Sequence, residues 1–167
     1  DAVIAGARRE GREKLTEAEA LALLDAYGIP TAPWRAVRSA DEAVGAAAAV
    51  GYPVALKVMS AAIVHKSDVG GVVVGLASEA EVRGGYARML ERVRERAGVP
   101  VEAVLVQKMI EGGRETIVGS TRDAKAGPLV MFGLGGLFVE VLEDVTFRVH
   151  PVTDIDAREM VRGIRGY

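Results

Sequence analysis

The 167-residue sequence carries 21 Lys and Arg against 23 Asp and Glu, a net charge of −2, without the basic excess of a general nucleic-acid binder. Its 50% apolar content suits a packed globular chain, and the absence of cysteine excludes disulfides, thiol catalysis and Cys-based metal sites. No apolar run approaches the ~18 residues of a membrane span. The start Asp1-Ala2-Val3-Ile4, followed by Arg8-Arg9-Glu10, does not read as a signal peptide, so a cytoplasmic protein with neither membrane nor nucleic-acid partners is expected.

Taken in chain order, Thr16 and Glu19 form a capping-box pattern opening a helix over residues 16–27, with Ala20, Leu21, Leu24 and Tyr27 on one face. Gly28-Ile29-Pro30 stops it. A short extended run covers 34–37. Ser39, with Glu42 three residues on, caps a second helix to Val50, broken by Gly51-Tyr52-Pro53. Residues 53–59 read as a mostly buried strand carrying one charge, 60–70 as a loop, and 71–76 as a second strand. Ser78 opens a third helix whose apolar side holds Val82, Tyr86, Met89, Leu90 and Val93. Its charges alternate in sign, the mark of a solvated face. Strands follow over 101–109, 114–120, 128–132 and 145–149. A terminal helix over 154–162 starts near Thr153. Several strand connections are short and hairpin-like, which predicts α+β lobes rather than one parallel sheet.

Four segments offer chemistry. Lys57 lies in an apolar strand, where an unpaired ammonium is costly. It is either an edge-strand lysine reaching water or a clamp on an anion. The loop from Ser60 to Gly71 holds His65-Lys66-Ser67 and Gly70-Gly71. It reads either as an ordinary long hairpin loop or as a phosphate loop presenting backbone N–H groups and cations. It contains no Walker-type Gly-Lys-Ser. Residues 104–119 read as two strands meeting at a kinked hinge that can read an adenine edge, Met109 and Ile110 sandwiching the ring, or as a plain β-hairpin. Gly133-Leu134-Gly135-Gly136 through Glu140, with Glu143-Asp144 and Arg148, reads as part of a phosphate or substrate path or as a surface hairpin with an internal ion pair. No Ser-His-Asp arrangement and no metal-ligand spacing is evident.

In this order and spacing, five strings resemble the β-subunit-type ATP-grasp module of ADP-forming (NDP-forming) acetyl-CoA or acyl-CoA synthetases, and more distantly the β subunit of succinyl-CoA synthetase. They are Leu15-Thr16-Glu17-Ala18-Glu19-Ala20 with Tyr27-Gly28-Ile29-Pro30; Gly51-Tyr52-Pro53-Val54-Ala55-Leu56-Lys57; His65-Lys66-Ser67-Asp68-Val69-Gly70-Gly71-Val72; Gln107-Lys108-Met109 with Gly113-Arg114-Glu115; and Phe132-Gly133-Leu134-Gly135-Gly136. The resemblance spans roughly residues 8–165. It implies an α+β ATP-grasp fold of two lobes with the C-terminal lobe incomplete. The expected division is an N-terminal helical segment over 1–35, a smaller lobe with the phosphate loop over 36–104, and the hinge with a partial second lobe over 105–167.

The implied activity is formation of acyl-CoA, ADP and phosphate from a carboxylic acid, CoA and ATP through a phosphohistidine. Lys57 then contacts the nucleotide phosphates, and His65 receives a phosphoryl group. Lys66 to Gly71, with Gly70, form a flexible loop over the phosphates. Residues 106–110, with Gln107 and Met109, form the adenine hinge, and Glu115 contacts the nucleotide. The implied cofactors are ATP/ADP and Mg²⁺. The implied partners are the CoA-binding and ligase domains, or an α subunit, of the same enzyme. Two departures stand out: Gln107 replaces the hinge acid of the succinyl-CoA enzyme, and no Glu-x-Asn-Pro-like metal segment precedes Tyr167. The sequence also lacks an initiator Met, so an excised segment of a longer polypeptide, inactive alone, is expected. The alternative reading is a non-catalytic acyl-CoA-synthetase-like regulatory domain of a bacterial protein lysine acetyltransferase. A carboxylate–amine ligase fits less well, because such ligases use no histidine relay.

Overall fold

The computed structural model describes residues 2–60, 62–63, 65–136 and 144–167. The chain divides into two compact units, Asp1–Ile110 and Glu111–Tyr167.

In the first unit the elements are α1 (Ala2–Arg9), α2 (Glu17–Ala26), β1 (Trp34–Val37), α3 (Ala40–Val50), β2 (Val54–Met59), β3 (Val72–Leu76), α4 (Glu79–Ala97) and β4 (Ala103–Lys108). Three of its helices begin as their sequences demand. Thr16, Ser39 and Ser78 have extended backbones, and their hydroxyls accept the amides of Glu19, Glu42 and Glu81. Each satisfies one orphan N–H, a contribution of about 1 kcal/mol. At α2 the box is reciprocal, since the Glu19 carboxylate accepts the Thr16 amide at 2.7 Å. Helix α1 is an addition: the sequence reading places no individual helix before Thr16.

The four strands form one antiparallel sheet in the order β1-β4-β2-β3. Alternation along the strands divides its residues between two faces. Val54, Leu56 and Val58 of β2, with Val104 and Val106 of β4, share a core with Ala43 and Ala47 of α3 and Val82, Met89 and Val93 of α4. Ala55, Lys57 and Met59, with Leu105 and Gln107, belong to the opposite face. In the ladder Lys57 stands across from Leu105 on one side and Val72 on the other. The edge-strand reading of Lys57 therefore fails, because β2 is an internal strand. Strand β3 carries a bulge, set by a register shift against Val54–Leu56, and Gly75 lies in it with φ 76°.

The second unit holds β5 (Thr116–Asp123), β6 (Gly127–Leu134), β7 (Val145–Val149) and α5 (Asp154–Gly163). The strands form an antiparallel meander in that order. The β5–β6 turn is closed by Asp123, whose carboxylate accepts the amides of Lys125 and Ala126, both at 2.8 Å. Strand β5 starts two residues later than the expected 114–120 and runs on to Asp123, and β6 extends past both ends of the expected 128–132. Helix α5 starts with a Thr153–Asp156 capping box.

The plain-hairpin reading of residues 104–119 is excluded, since β4 pairs with β1 and β2 while β5 pairs with β6. The expected division at 104/105 falls inside β4, and the boundary between the compact units lies between Ile110 and Glu111. Among the described residues no helix is long and apolar enough to cross a membrane.

Candidate functional site

The chemistry of the first unit gathers on the sheet face opposite α3 and α4. Lys57 projects from the internal strand β2, and its Nζ donates to Oε1 of Glu17 at 2.6 Å and to Oε1 of Gln107 at 2.9 Å. Lys66, from the β2–β3 connection, donates its Nζ to the other carboxylate oxygen of Glu17, Oε2. Two lysines from different elements thus converge on one carboxylate. All three side chains are about one quarter exposed. Burial pushes the Glu17 carboxyl up, but hydrogen bonds from Lys57 and Lys66 outweigh it and hold the group below the usual glutamate range. With two ammoniums and one carboxylate, the cluster keeps one net positive charge.

The β2–β3 connection is fixed at its end by a close approach. The Gly71 amide donates to the Lys66 carbonyl at 2.7 Å, and its carbonyl accepts the Val58 amide at 2.8 Å. A Cβ at Gly71 would stand 2.5 Å from a Val58 methyl and 3.0 Å from the Lys66 carbonyl, so no other residue fits without movement. This turn sets Lys66 against the sheet face that carries Lys57. Gly70, with φ 69°, completes it. Ile63 anchors the start of the connection in the core, and His65, next to Lys66, is exposed. The β2–β3 connection thus joins an antiparallel pair, as a hairpin loop does, and it also carries Lys66 to the carboxylate that Lys57 holds.

At the other end of β4, Met109 Sδ accepts the amide of Gly75 at 3.0 Å, tying the hinge segment to the β3 bulge. Ile110 beside it is 71% exposed, so an apolar surface is open there. The structure brings together Lys57, Lys66 and Gln107, and leaves Met109 outside that cluster.

Glu115 belongs to the second unit, where the glycine turn closes on it. The Gly135 amide donates to the Glu115 carbonyl at 2.8 Å. A Cβ at Gly136, where φ is 68°, would come within 2.6 Å of the Glu115 Oε2, and one at Gly135 within 3.0 Å of the Glu115 backbone, so the turn lies close against this residue. Among the described residues of the fourth segment, no ion pair joins Asp144 to Arg148. Arg148 instead reaches Glu159 at 3.3 Å and Asp156 at 3.8 Å, both on α5. Asp144 is buried and accepts the amides of Arg165 at 2.7 Å and Gly166 at 2.8 Å. Glu140 and Glu143 lie outside the described residues.

Sequence reasoning missed Glu17 as a site residue. It lies 40 positions from Lys57, and nothing in its own string distinguishes it from a first-turn acid placed for the helix dipole. It also borders a cleft of about 580 Å³ lined by Arg12, Leu15, Met59, Ile63 and Lys66 among others. The cleft touches the cluster from one side only, for Lys57, His65 and Gln107 are not in its lining.

Comparison with known proteins fits this arrangement. Residues 6–167 match the family model described as an ATP-grasp domain. The chain is 47% identical over 159 residues to acetate–CoA ligase (ADP-forming) I of Archaeoglobus fulgidus, covering 95% of this chain but 23% of that protein. It is 43% identical over 166 residues to the β subunit of acetate–CoA ligase (ADP-forming) I of Pyrococcus furiosus, covering 99% of this chain and 71% of the subunit. Among solved structures, acetyl-coenzyme A synthetase 1 of Ca. Korarchaeum cryptofilum, in complex with coenzyme A, Ca-AMPCP and HgCl⁺, superposes with a TM-score of 0.94 at 44% identity, covering 99% of this chain and 73% of that one. The chain therefore belongs to the ATP-grasp domain family, as the counterpart of the ATP-grasp part of ADP-forming acetate–CoA ligases.

Proposed function

We propose that this chain is the nucleotide-binding and phosphoryl-transfer module of an ADP-forming acyl-CoA synthetase acting in the cytoplasm. The observation that carries the reading is the convergence of Lys57 and Lys66, an internal-strand lysine and a loop lysine, beside the exposed His65. Two ammoniums on one spot suit the oxygens of a phosphoryl group, whose transfer depends mainly on positioning and charge neutralisation. In this reading Lys57 and Lys66 hold the phosphates of ATP or ADP, with Gly70 and Gly71 shaping the loop. Gln107 and Met109 contribute at the hinge that receives the base, and Glu115 contacts the nucleotide. His65 accepts the phosphoryl group: a bond from its ring nitrogen to phosphorus forms as the bond to the ADP oxygen breaks.

The acyl and CoA chemistry falls to other domains or to a partner subunit of the same enzyme. Among the described residues no group of three or more His, Asp and Glu could hold a metal ion. In this reading Mg²⁺ accompanies the nucleotide with ligands expected outside this chain, and none of the steps above runs through it. The regulatory-domain alternative is not favoured, since the relatives described above are named as ligases.

The test is calorimetric titration of ADP into the full-length protein and its Lys57→Ala variant. Loss of a charged partner from the phosphate site should weaken binding by about 2–3 kcal/mol. Equal affinities would remove Lys57 from the site. In the same protein His65→Ala should abolish ATP formation while leaving ADP affinity within about tenfold.

A further inference from the structure

Glu17 occupies the point where the phosphate reading requires an anion. Each of its carboxylate oxygens is taken by one lysine, Oε1 by Lys57 and Oε2 by Lys66, and Lys57 is held from a third side by Gln107. The residue is the first of α2, whose start is locked by the Thr16–Glu19 box, so the carboxylate is delivered by a fixed element rather than a flexible one. Without it, two ammoniums would face each other unneutralised, and an arriving anion would meet them with no competitor. With it, an arriving phosphoryl group meets a carboxylate already bonded to the donors it needs.

We propose that Glu17 is an anion placeholder: it keeps Lys57 and Lys66 paired while the site is empty and yields them to the nucleotide phosphates on binding. This rests on the reading of the cluster as the phosphate site. Glu17 is then a positioning residue that sets phosphate affinity by competing for the same donors. Its removal should tighten the binding of phosphate-bearing ligands and leave a ligand without phosphates unchanged. A residue that merely scaffolds the lysines would do the reverse, weakening ADP when lost.

The experiment titrates ADP and adenosine into the full-length wild type, Glu17→Gln and Lys57→Ala. Glu17→Gln keeps the shape but removes the charge and one of the two acceptor oxygens. The expected result is an ADP dissociation constant about tenfold lower than wild type, with adenosine unchanged. Unchanged or weaker ADP binding in Glu17→Gln overturns the placeholder role. Should Glu17→Gln fold poorly, Glu17→Asp serves instead. Its shorter side chain keeps the charge but cannot reach both lysines, so tighter ADP binding is again expected, by a smaller factor, and no tightening overturns the proposal. The controls separate the two levels. If wild type binds ADP no tighter than adenosine and Lys57→Ala changes nothing, the phosphate-site reading falls and the placeholder falls with it. If Lys57→Ala weakens ADP but the Glu17 variants do not tighten it, only the placeholder falls.

Discussion

The two units of this chain are stabilised in different ways. In residues 1–110 the sheet has a packed helical layer, and Leu56, Val58, Val82, Met89, Val93, Val104 and Val106 are all fully shielded. In residues 111–167 the buried apolar side chains among those described are Met160 and Ile164, while Val118, Phe147 and Val149 remain 72%, 47% and 52% exposed. The second unit leans instead on ladders and on polar clamps: the Asp123 turn, the Arg148 pairs and the buried Asp144. The first unit thus rests on burial, which tolerates the cost of gathering Lys57, Lys66 and Glu17 on its open face. The second rests on hydrogen bonds, which are individually modest and depend on every partner being present.

The largest test of this contrast is Leu56→Ala. Leu56 is fully buried in the centre of the sheet, and its truncation leaves a cavity among α3, α4 and β4, at a cost of about 3 kcal/mol. Trp34 is the chain's single tryptophan and sits in β1, so its fluorescence in a urea titration reports the first unit. Its midpoint should fall clearly. A shift equivalent to under 1 kcal/mol would mean that the core is not what holds this unit.

Next in size is Asp144→Ala. The carboxylate is buried, and its loss leaves the amides of Arg165 and Gly166 without their acceptor, at a cost of about 2 kcal/mol. Amide hydrogen exchange should accelerate at Arg165, Gly166 and along β7, while the Trp34 transition stays in place. A Trp34 shift as large as the change at those amides would break the contrast between the units.

Legibility in the sequence follows the same division. In the first unit, capping residues and apolar periodicity coincide. The starts of α2, α3 and α4 were readable because Thr16, Ser39 and Ser78 each precede a Glu at the third helical position. Helix α1 was not readable as an element, since Ala2–Arg9 is a short run that buries only Ala7. In the second unit β5 was read short because Thr121, Arg122 and Asp123 are all exposed, and a strand wet on both faces shows no period of two. Lys57, Lys66 and Gln107 could be nominated by type and by the family resemblance. That Lys57 lies on an internal strand depends on sheet order, which no local pattern encodes. The Glu17 bridge depends on contacts 40 and 49 residues apart.

A smaller effect compares the two capping boxes. Thr16→Ala and Thr153→Ala should each cost about 1 kcal/mol in their own helix. Amide exchange in α2 and α5 reads the two separately. An effect that spreads from α2 to the whole first unit would show that this helix is integral to the core rather than laid on the open face.

The smallest effect is one of pH. The box of α2 is backed by Arg12, which forks onto Glu19 at 2.6 and 2.9 Å, whereas the nearest arginine to the α5 box, Arg148, stands 3.8 Å from Asp156. The Arg12 pair, followed by the Thr16 amide, lowers the Glu19 carboxyl from the usual 4.5 to about 2. A carboxyl lowered on folding binds its proton less readily in the folded state than in the unfolded one. Its contribution is therefore full above about pH 4.5 and is lost as the pH falls from there toward 2. Exchange protection of α2, corrected for intrinsic rates, should decline across that window. Glu19→Gln should flatten the decline and lower the protection at neutral pH. The residual slope left in that variant measures what Glu17 contributes, since its carboxyl is also lowered and acts in the same direction. An unchanged slope in Glu19→Gln would assign the acid sensitivity of α2 to the Glu17–lysine cluster rather than to the box.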